Sequence, residues 1–189
     1  MPDPSLSTAK ATLRLQLREP MRAVTPEAAK KLAELAKSWL LAHAKPLQTI
    51  AIYGGLRGEA DLVQELTPWL LEKGFLPVVF AIQDENIVPK RVSSLEDVFR
   101  GKLGAWEPAP NTPEIAISAL DVIWVPGLAF STKTGFRLGR GGGYYDRLLG
   151  DPACRARKVA LAHDFQLVDD IPHEPHDQRV DEILTLNHA

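Results

Sequence analysis

Two short, continuously apolar runs that flank one helical segment constrain the fold of this chain most strongly. The first run covers residues 49–53 and the second covers residues 76–81. Between them lie a loop over residues 54–59 and a segment of helical periodicity over residues 60–73, closed by Gly74. This order predicts a βαβ unit with two parallel strands. Because such sheets bind ligands beyond the carboxyl ends of their strands, the loop after the first strand is a candidate binding element.

The remaining segments extend this pattern into an α/β chain. Strands are predicted at residues 121–125, 158–162 and 182–186, with an irregular strand at 87–92. Helices are predicted from the Ser7-Thr8 cap to Glu19, from Thr25-Pro26 to about His43, over residues 93–100, and from Tyr144 to Leu149. Pro20 is expected to stop the first helix, and Pro68 to kink or divide the helix of residues 60–73.

Composition is that of an ordinary globular protein and excludes several function classes. With 189 residues, 45% hydrophobic and 24% charged, the chain suits one domain over residues 1–189. A formal net charge of −2 gives no basic field, so neither nucleic acid nor a membrane surface is an expected partner. One cysteine, Cys154, rules out an internal disulfide, and no apolar stretch reaches about 20 residues. We expect a cytoplasmic location and a monomeric state.

Residues 137–149 concentrate four glycines, three arginines, two tyrosines and an aspartate. Glycine backbone can approach a ligand closely, and its N–H groups followed by a helix start form an anion site. Arg140 adds a guanidinium fork that suits phosphate oxygens, and Asp146 is placed to hold a metal ion carried on those phosphates. The alternative is a tight turn in which Asp146 only complements the helix dipole. The spacing fits neither a Walker loop nor a dinucleotide fingerprint.

Charges elsewhere in the chain add further candidates. Lys10, Arg14 and Arg18 fall at i, i+4 and i+8 of the first predicted helix, which favours either a bound polyphosphate or a solvated basic face. Glu59 stands at a helix start after the first strand, where it either binds a ligand or complements the helix dipole.

A cluster of histidines and carboxylates lies near the C-terminus, between residues 173 and 182. Its oxygen ligands suit magnesium better than zinc, because the histidines lack helical i, i+4 placement on a confirmed helix. The alternative is an exposed charged loop.

Taken together, these motifs resemble the signature of the 5-formyltetrahydrofolate cyclo-ligase family, also called 5,10-methenyltetrahydrofolate synthetases. The most specific element is the glycine loop that ends in Tyr144-Tyr145-Asp146. The others follow in the family's order along the chain: Lys10-x-x-x-Arg14, the Gly54 to Glu59 loop, Gly104-Ala105-Trp106-Glu107-Pro108, Val125-Pro126-Gly127-Leu128-Ala129-Phe130, and His176-Asp177 before Val180-Asp181-Glu182.

The resemblance implies a three-layer α/β/α fold with a mostly parallel sheet, of the kind shared by ribose-phosphate isomerase and CoA transferases. It also implies an enzyme that uses ATP to convert 5-formyltetrahydrofolate into 5,10-methenyltetrahydrofolate, with release of ADP and phosphate. The implied partners are therefore a reduced folate and ATP, and the implied cofactor is Mg²⁺.

The resemblance further implies a role for each matching residue. Those on the side of ATP are Lys10, Arg14, Arg137, Leu138, Gly139, Arg140, Gly141, Gly142, Gly143, Tyr144 and Tyr145. Lys10 and Arg140 among them are catalytic. On the side of the folate are Gly54, Glu59, Trp106 and Tyr144. The metal ligands are Asp146 and Asp177.

Two departures from the family pattern keep a second interpretation open. Ser131 follows Phe130 where the family usually has aspartate, and residues 82–100 offer no clear counterpart of a hydrophobic residue that packs on the substrate. A non-catalytic protein that binds a folate or a nucleotide is the alternative. Trp106 either covers the pterin face or belongs to the core. Sugar-phosphate or acyl-CoA chemistry on the same fold is a third class, but no candidate glutamate nucleophile lies in a glycine-rich setting.

Overall fold

The computed structural model describes residues 4–187, and its core is a six-stranded sheet. In spatial order the strands are β11 (Glu182–Leu184), β9 (Arg157–Leu161), β6 (Val122–Trp124), β1 (Thr49–Ile52), β2 (Leu76–Gln83) and β3 (Asn86–Arg91). The first five run parallel to one another, and β3 alone pairs antiparallel, with β2. The predicted mixed α/β fold with a mostly parallel sheet is therefore confirmed.

Four α-helices occur in residues 4–187: α1 (Pro4–Ala23), α2 (Pro26–His43), α3 (Leu62–Glu72) and α4 (Tyr144–Leu149). Thr25 caps α2 by accepting a hydrogen bond from the Ala28 N–H, and Pro26 occupies the first helical position, as the sequence predicts. None of these helices is both long and apolar enough to cross a membrane.

The alternation of side chains along β1 assigns the helices to two faces of the sheet. Ile50 and Ile52 point into the cluster that includes buried residues of α2 and α3, such as Leu40 and Leu66. Ala51 belongs instead to the cluster that contains Leu148 and Leu149 of α4. Successive residues of a strand point to opposite faces, so the sheet is covered on both sides and three layers result.

A small second sheet supports the segment that leads into the glycine loop. It consists of β10 (Leu167–Val168), β7 (Ala129–Ser131) and β8 (Arg137–Leu138). Leu17 and Met21 of α1 pack against this sheet, which places the first helix beside the strand that precedes Gly139. The sequence analysis missed these strands, because runs of two or three residues carry no readable periodicity.

The prediction that Pro20 ends the first helix is wrong. α1 begins at Pro4 and continues through Pro20 to Ala23. An internal proline removes one helical hydrogen bond. Leu17 precedes Pro20, Met21 follows it, and both side chains are buried against the small sheet. This packing favours a helix that continues through the proline. Pro68 likewise lies inside α3 and does not divide it.

The helix predicted over residues 93–100 is also wrong. Only one 3₁₀ turn (Leu95–Asp97) forms there, and the chain then enters a hairpin of β4 (Val98–Arg100) and β5 (Trp106–Pro108). The Asp97 carboxylate accepts hydrogen bonds from the N–H groups of Ser93 and Ser94, which closes the turn early. In addition, residues 86–91 form a regular strand, β3, rather than an irregular one.

Adjacent leucines of α2 provide a test of the core. Leu40 is fully buried and Leu41 is 63% exposed. We expect Leu40→Ala to lower the free energy of unfolding by about 2–5 kcal/mol, because it leaves a cavity beneath the sheet. Leu41→Ala should change it by less than about 0.5 kcal/mol. Urea unfolding of both variants measures the difference, and equal losses would contradict the assigned packing.

Candidate active site

A cavity of about 670 Å³ opens beyond the carboxyl ends of the parallel strands. Tyr53 and Gly54, which follow β1, and Pro126 and Gly127, which follow β6, line it. Its position agrees with the general rule for ligand sites of parallel sheets. All the residues to which the sequence analysis assigned a ligand lie in its wall: Lys10, Arg14, Gly54, Glu59, Trp106, Arg137, Leu138, Gly139, Arg140, Gly141, Gly142, Gly143, Tyr144, Tyr145, Asp146 and Asp177.

The glycine loop connects β8 to α4 and exposes its backbone to this cavity. Gly141 and Gly143 have φ angles of 105° and 68°, which side-chain-bearing residues rarely adopt. Within residues 4–187, no N–H group from Gly139 to Gly143 donates a hydrogen bond to a protein acceptor. Arg14 of α1 holds the loop by donating from Nε to the Gly139 carbonyl oxygen at 2.9 Å. The loop therefore presents a row of unused donors, as an anion site requires.

Glu59 and Arg140 form an ion pair across the cavity. Arg140 donates from Nε and Nη2 to Oε1 of Glu59, at 3.0 and 2.8 Å. The Glu59 side chain is only 7% exposed, whereas that of Arg140 is 45% exposed. Burial raises the pKa of Glu59 above its usual range, Arg140 opposes that rise, and the charge of Asp61 adds to it. The sequence predicted that Glu59 binds the folate and that Arg140 binds ATP. In the structure the two side chains contact each other.

Two tyrosines that lie close to Glu59 also line the cavity. Burial raises the pKa of Tyr53 and of Tyr145, and the negative charge of Glu59 raises both further. Their hydroxyl groups therefore remain protonated and available as hydrogen-bond donors. The sequence analysis missed Tyr53, although a tyrosine at the carboxyl end of a buried strand was a readable signal.

Lys10 is a buried cation of the site and joins α1 to the segment before β11. Its Nζ lies 3.0 Å from Oε2 of Glu174 and 2.5 Å from Oδ2 of Asp177. Burial lowers the pKa of Lys10, but the bonds to Asp177 and Glu174 outweigh it and raise the pKa above its ordinary value. The sequence analysis missed this acidic partnership of Lys10, because the residues are more than 160 positions apart. Arg18, the third residue of the basic stripe, is exposed and does not line the cavity.

Arg137 and Asp146 form a second ion pair at the base of the glycine loop. Arg137 is almost completely buried and donates from Nη2 to Oδ1 of Asp146 at 3.0 Å. The same Oδ1 accepts a hydrogen bond from the N–H of Gln178 at 3.2 Å. Burial lowers the pKa of Arg137, while the negative charges of Asp146 and Asp177 oppose that shift. The carboxylate of Asp146 thus supports a buried cation, a role beyond complementing a helix dipole.

The two aspartates assigned to a metal each keep one oxygen free of hydrogen bonds. Among residues 4–187, hydrogen bonds reach only Oδ1 of Asp146 and only Oδ2 of Asp177. Asp146 accepts a hydrogen bond from the N–H of Gln178, the residue after Asp177, so both carboxylates lie near the same end of the cavity. The described residues contain no group of three or more metal-binding side chains. Two free carboxylate oxygens fit Mg²⁺, which commonly takes its other ligands from water and substrate phosphates.

The family is decided by comparison of the sequence. The model of the 5-formyltetrahydrofolate cyclo-ligase family matches residues 6–186. The chain belongs to this family. The 5-formyltetrahydrofolate cyclo-ligase of Mycolicibacterium smegmatis is 35% identical over 94% of this chain and 93% of its own length. That of Escherichia coli K12 is 29% identical over 89% of this chain and 96% of its own length.

Solved structures agree with the fold. The 5,10-methenyltetrahydrofolate synthetase of Aquifex aeolicus superposes with a TM-score of 0.76 at 29% identity, covering 93% of this chain and 89% of that one. A synthetase from Mycoplasma pneumoniae gives a TM-score of 0.73 at 22% identity, covering 92% and 96% of the two chains, and supports the fold alone. The family predicted from the glycine loop and its accompanying motifs is therefore confirmed.

The serine that departs from the family pattern lies outside the cavity wall. Ser131 is fully buried in β7, where its Oγ donates to the Asp169 carbonyl oxygen at 2.9 Å. The same oxygen accepts a hydrogen bond from the Thr134 N–H at 3.1 Å, which closes the turn before β8. Ser131 is not among the residues that line the cavity, so the absence of a carboxylate here leaves the wall of the site unchanged.

The burial of Glu59 predicts a stability cost that depends on pH. Because its pKa in the folded protein is raised, its contribution to stability is fully present below the ordinary glutamate pKa of about 4.3 and is lost as the pH rises through the folded value. Glu59→Gln should therefore gain stability relative to wild type between pH 4 and pH 7. Urea unfolding across that range measures the gain.

The exposed Glu72, which pairs with Lys73, provides the control for this measurement. Glu72→Gln should show no comparable gain in stability, because the Glu72 side chain is 68% exposed and carries no burial cost that the substitution could remove. A Glu59→Gln variant that is equally destabilised at every pH would contradict the assigned burial cost.

Proposed function

We propose that this protein catalyses the ATP-dependent cyclisation of 5-formyltetrahydrofolate to 5,10-methenyltetrahydrofolate, with release of ADP and phosphate. Family membership supports the ligase reaction on a folate. The observation that carries the ATP dependence is the convergence of Lys10, Arg14, Arg140 and the free amides of the glycine loop on one cavity wall. Mg²⁺ as cofactor is part of the same proposal, and so is the expectation that neither nucleic acid nor a membrane is a partner. The cytoplasmic location and the monomeric state remain predictions.

The proposed reaction needs no nucleophile from the protein. The formyl oxygen of the substrate attacks the γ-phosphorus of ATP, so a C–O–P linkage forms and the bond to the ADP oxygen breaks. The N10 amine then attacks the formyl carbon, N10 loses its proton, and phosphate leaves with the former formyl oxygen. Catalysis consists of alignment of the two substrates and stabilisation of charge on the transferred phosphoryl group.

The side chains of the cavity divide this work by their charge. Lys10 has three N–H donors, of which Glu174 and Asp177 use two, so one remains for a phosphate oxygen. Arg140 and the amides of residues 139–143 supply further donors for the phosphoryl oxygens. Asp146 and Asp177 would hold Mg²⁺ through their free oxygens, and the ion would neutralise charge on the phosphates of ATP. Glu59 accepts N–H bonds from the 2-aminopyrimidinone edge of the pterin.

The formation of the methenyl product, followed by its absorbance, tests the proposed function. Purified protein with 5-formyltetrahydrofolate, ATP and Mg²⁺ should produce the methenyl chromophore, and omission of ATP should abolish it. Binding of both ligands without product would favour the non-catalytic alternative. Of the two departures that motivated this alternative, Ser131 lies outside the cavity wall and gives it no structural support.

Substitution of Asp146 separates a metal role from a structural one. Asp146→Asn keeps one oxygen for Arg137 and the Gln178 N–H but replaces the free carboxylate oxygen with an amide nitrogen. We expect turnover to fall at least about tenfold and to recover partly at raised Mg²⁺. Asp177→Asn should show the same Mg²⁺ dependence. An unaltered Mg²⁺ requirement in both variants would falsify the metal assignment.

The ion pair between Glu59 and Arg140 predicts that the two substrates bind cooperatively. Two N–H bonds from the pterin need both oxygens of Glu59, while Arg140 occupies Oε1 in the ligand-free protein. The first substrate to bind must break the pair, and the second then binds without that cost. A non-hydrolysable ATP analogue should therefore tighten folate binding about fivefold. Calorimetric titrations of folate with and without the analogue measure the coupling.

Arg14 offers the matched control for this coupling, because it holds the carbonyl oxygen of Gly139 and has no hydrogen bond to Glu59. Arg140→Met should remove the cooperativity, so that the analogue no longer changes the folate Kd. Arg14→Met should weaken binding of the analogue and keep the cooperativity once the analogue is saturating. Equal folate Kd values with and without the analogue in the wild-type protein would contradict the role of the pair.

A further inference from the structure

We propose that Arg100 and Asp61 are positioning residues that clamp Trp106 and thereby fix the folate-facing wall of the cavity. This inference rests on the proposed function, because it assigns the wall beside Glu59 to the folate. Neither Arg100 nor Asp61 lines the cavity, so each acts on the substrate only through the residues that it holds.

The wall in question is formed by two segments that meet edge to edge. The hairpin of β4 and β5 contributes Leu103, Ala105 and Trp106 to the cavity lining. The loop after β1 contributes Gly54 and Glu59. A backbone hydrogen bond joins the segments, from the Trp106 N–H to the Gly54 carbonyl oxygen at 3.1 Å. Glu107 also holds the hairpin to β2, where its Oε2 accepts a hydrogen bond from the Ile82 N–H at 3.2 Å. The contacts of the Trp106 side chain then determine where the indole lies against the loop.

Arg100, the last residue of β4, makes three contacts at this junction, and one of them crosses to the loop. Its Nη1 donates to the Gly55 carbonyl oxygen at 2.6 Å and to the Gly104 carbonyl oxygen at 3.0 Å, so one nitrogen bridges the loop and the hairpin turn. Its guanidinium carbon lies 4.0 Å from the centre of the Trp106 ring, which is a cation–π contact. Gly55 has a φ of 96°, and a Cβ there would lie 2.2 Å from Arg100 Nη1. A side chain at position 55 would collide with Arg100, so this position of the loop requires glycine.

Asp61 holds the other edge of the same indole. Its Oδ2 accepts a hydrogen bond from Trp106 Nε1 at 2.9 Å and lies 3.6 Å from Arg100 Nη2. Its Oδ1 caps α3 by accepting from the Gln64 N–H at 3.3 Å. A Cβ on Gly54 would lie 2.2 Å from this Oδ1, so the loop that leads to Glu59 packs directly on the aspartate. The tryptophan is thus held by its ring face and by its N–H, and both holding residues also contact the loop or cap its helix.

This geometry predicts a selective defect. Removal of the Arg100 guanidinium releases the face of the Trp106 ring and the Gly55 carbonyl oxygen, and it leaves the glycine loop with Arg140 untouched. We expect Arg100→Met to raise the KM for 5-formyltetrahydrofolate about tenfold, with kcat and the KM for ATP changed less than about twofold. The folate Kd in the absence of ATP, measured by calorimetry, should rise by the same factor. Arg100→Lys should restore part of the affinity, because its ammonium reaches one carbonyl oxygen but lacks the planar face.

The chain contains a matched control for this substitution at the far edge of the sheet. Arg157 lies with its guanidinium carbon 4.7 Å from the centre of the Trp39 ring and with Nη2 2.6 Å from Oε2 of Glu182. Its side chain is 46% exposed, against 48% for Arg100, and it does not line the cavity. Arg157→Met therefore removes a guanidinium that has the same kinds of contact, an aromatic ring and a carboxylate, but lies outside the cavity wall. It should leave the KM values for folate and ATP unchanged.

The outcomes of these measurements distinguish the clamp from the proposed function. A wild-type folate KM and Kd in Arg100→Met overturn the clamp, and so do parallel rises for folate and ATP, which would indicate general destabilisation. Equal folate defects in Arg100→Met and Arg157→Met overturn it too. A wild-type protein that binds no 5-formyltetrahydrofolate overturns the proposed function and the clamp with it. A selective folate defect in Arg100→Met alone supports the clamp.

Discussion

The cavity wall depends on the buried contact of Lys10 with Glu174 and Asp177. It joins α1 to the loop before β11, so that both ends of the chain meet at one cavity wall. Isolated charges at such a depth are expensive to bury, and here one cation and two carboxylates offset each other's desolvation. The same helix is also held by Leu17 and Met21 on the small sheet, by Arg14 on the glycine loop, and by Arg57, which donates to the Arg22 carbonyl oxygen.

The same arrangement recurs across the cavity: three of the four lysine and arginine side chains that residues 4–187 place in its wall pair with a carboxylate, whereas Arg14 contacts the Gly139 carbonyl oxygen. Arg140 pairs with Glu59, Lys10 with Glu174 and Asp177, and Arg137 with Asp146. Each carboxylate offsets the repulsion between neighbouring cations, so several positive charges can lie close together in one cavity. The protein therefore needs no basic surface around the cavity, and its net charge is −2. The arrangement has a cost for affinity, because a phosphate oxygen must compete with a carboxylate that is already in place.

Local motifs could be predicted from the sequence, and contacts between distant segments could not. The glycine loop and the Lys10–Arg14 spacing carry their chemistry within a few residues, and all lie in the cavity wall. The pairing of Lys10 with Glu174 depends on how α1 packs, and the helix continues through Pro20 because buried neighbours outweigh a lost hydrogen bond. The hairpin of β4 and β5 escaped prediction for a similar reason. The Asp97 carboxylate accepts hydrogen bonds from the N–H groups of Ser93 and Ser94, which closes a single turn. Residues 93–100 therefore do not form the helix that their sequence pattern predicts.

Competition between carboxylates and phosphate also bears on which ligands the site selects. A small anion that binds the glycine loop alone would take Arg140 from Glu59 and leave a buried carboxylate without a partner. A ligand pair that supplies both a phosphate for Arg140 and N–H donors for Glu59 restores the balance of charges on both sides. The ion pair therefore disfavours either substrate bound alone more than it disfavours the two together. Because the proposed phosphoryl transfer requires both substrates at once, a site with this arrangement would favour the complex that can react over complexes in which ATP meets only water.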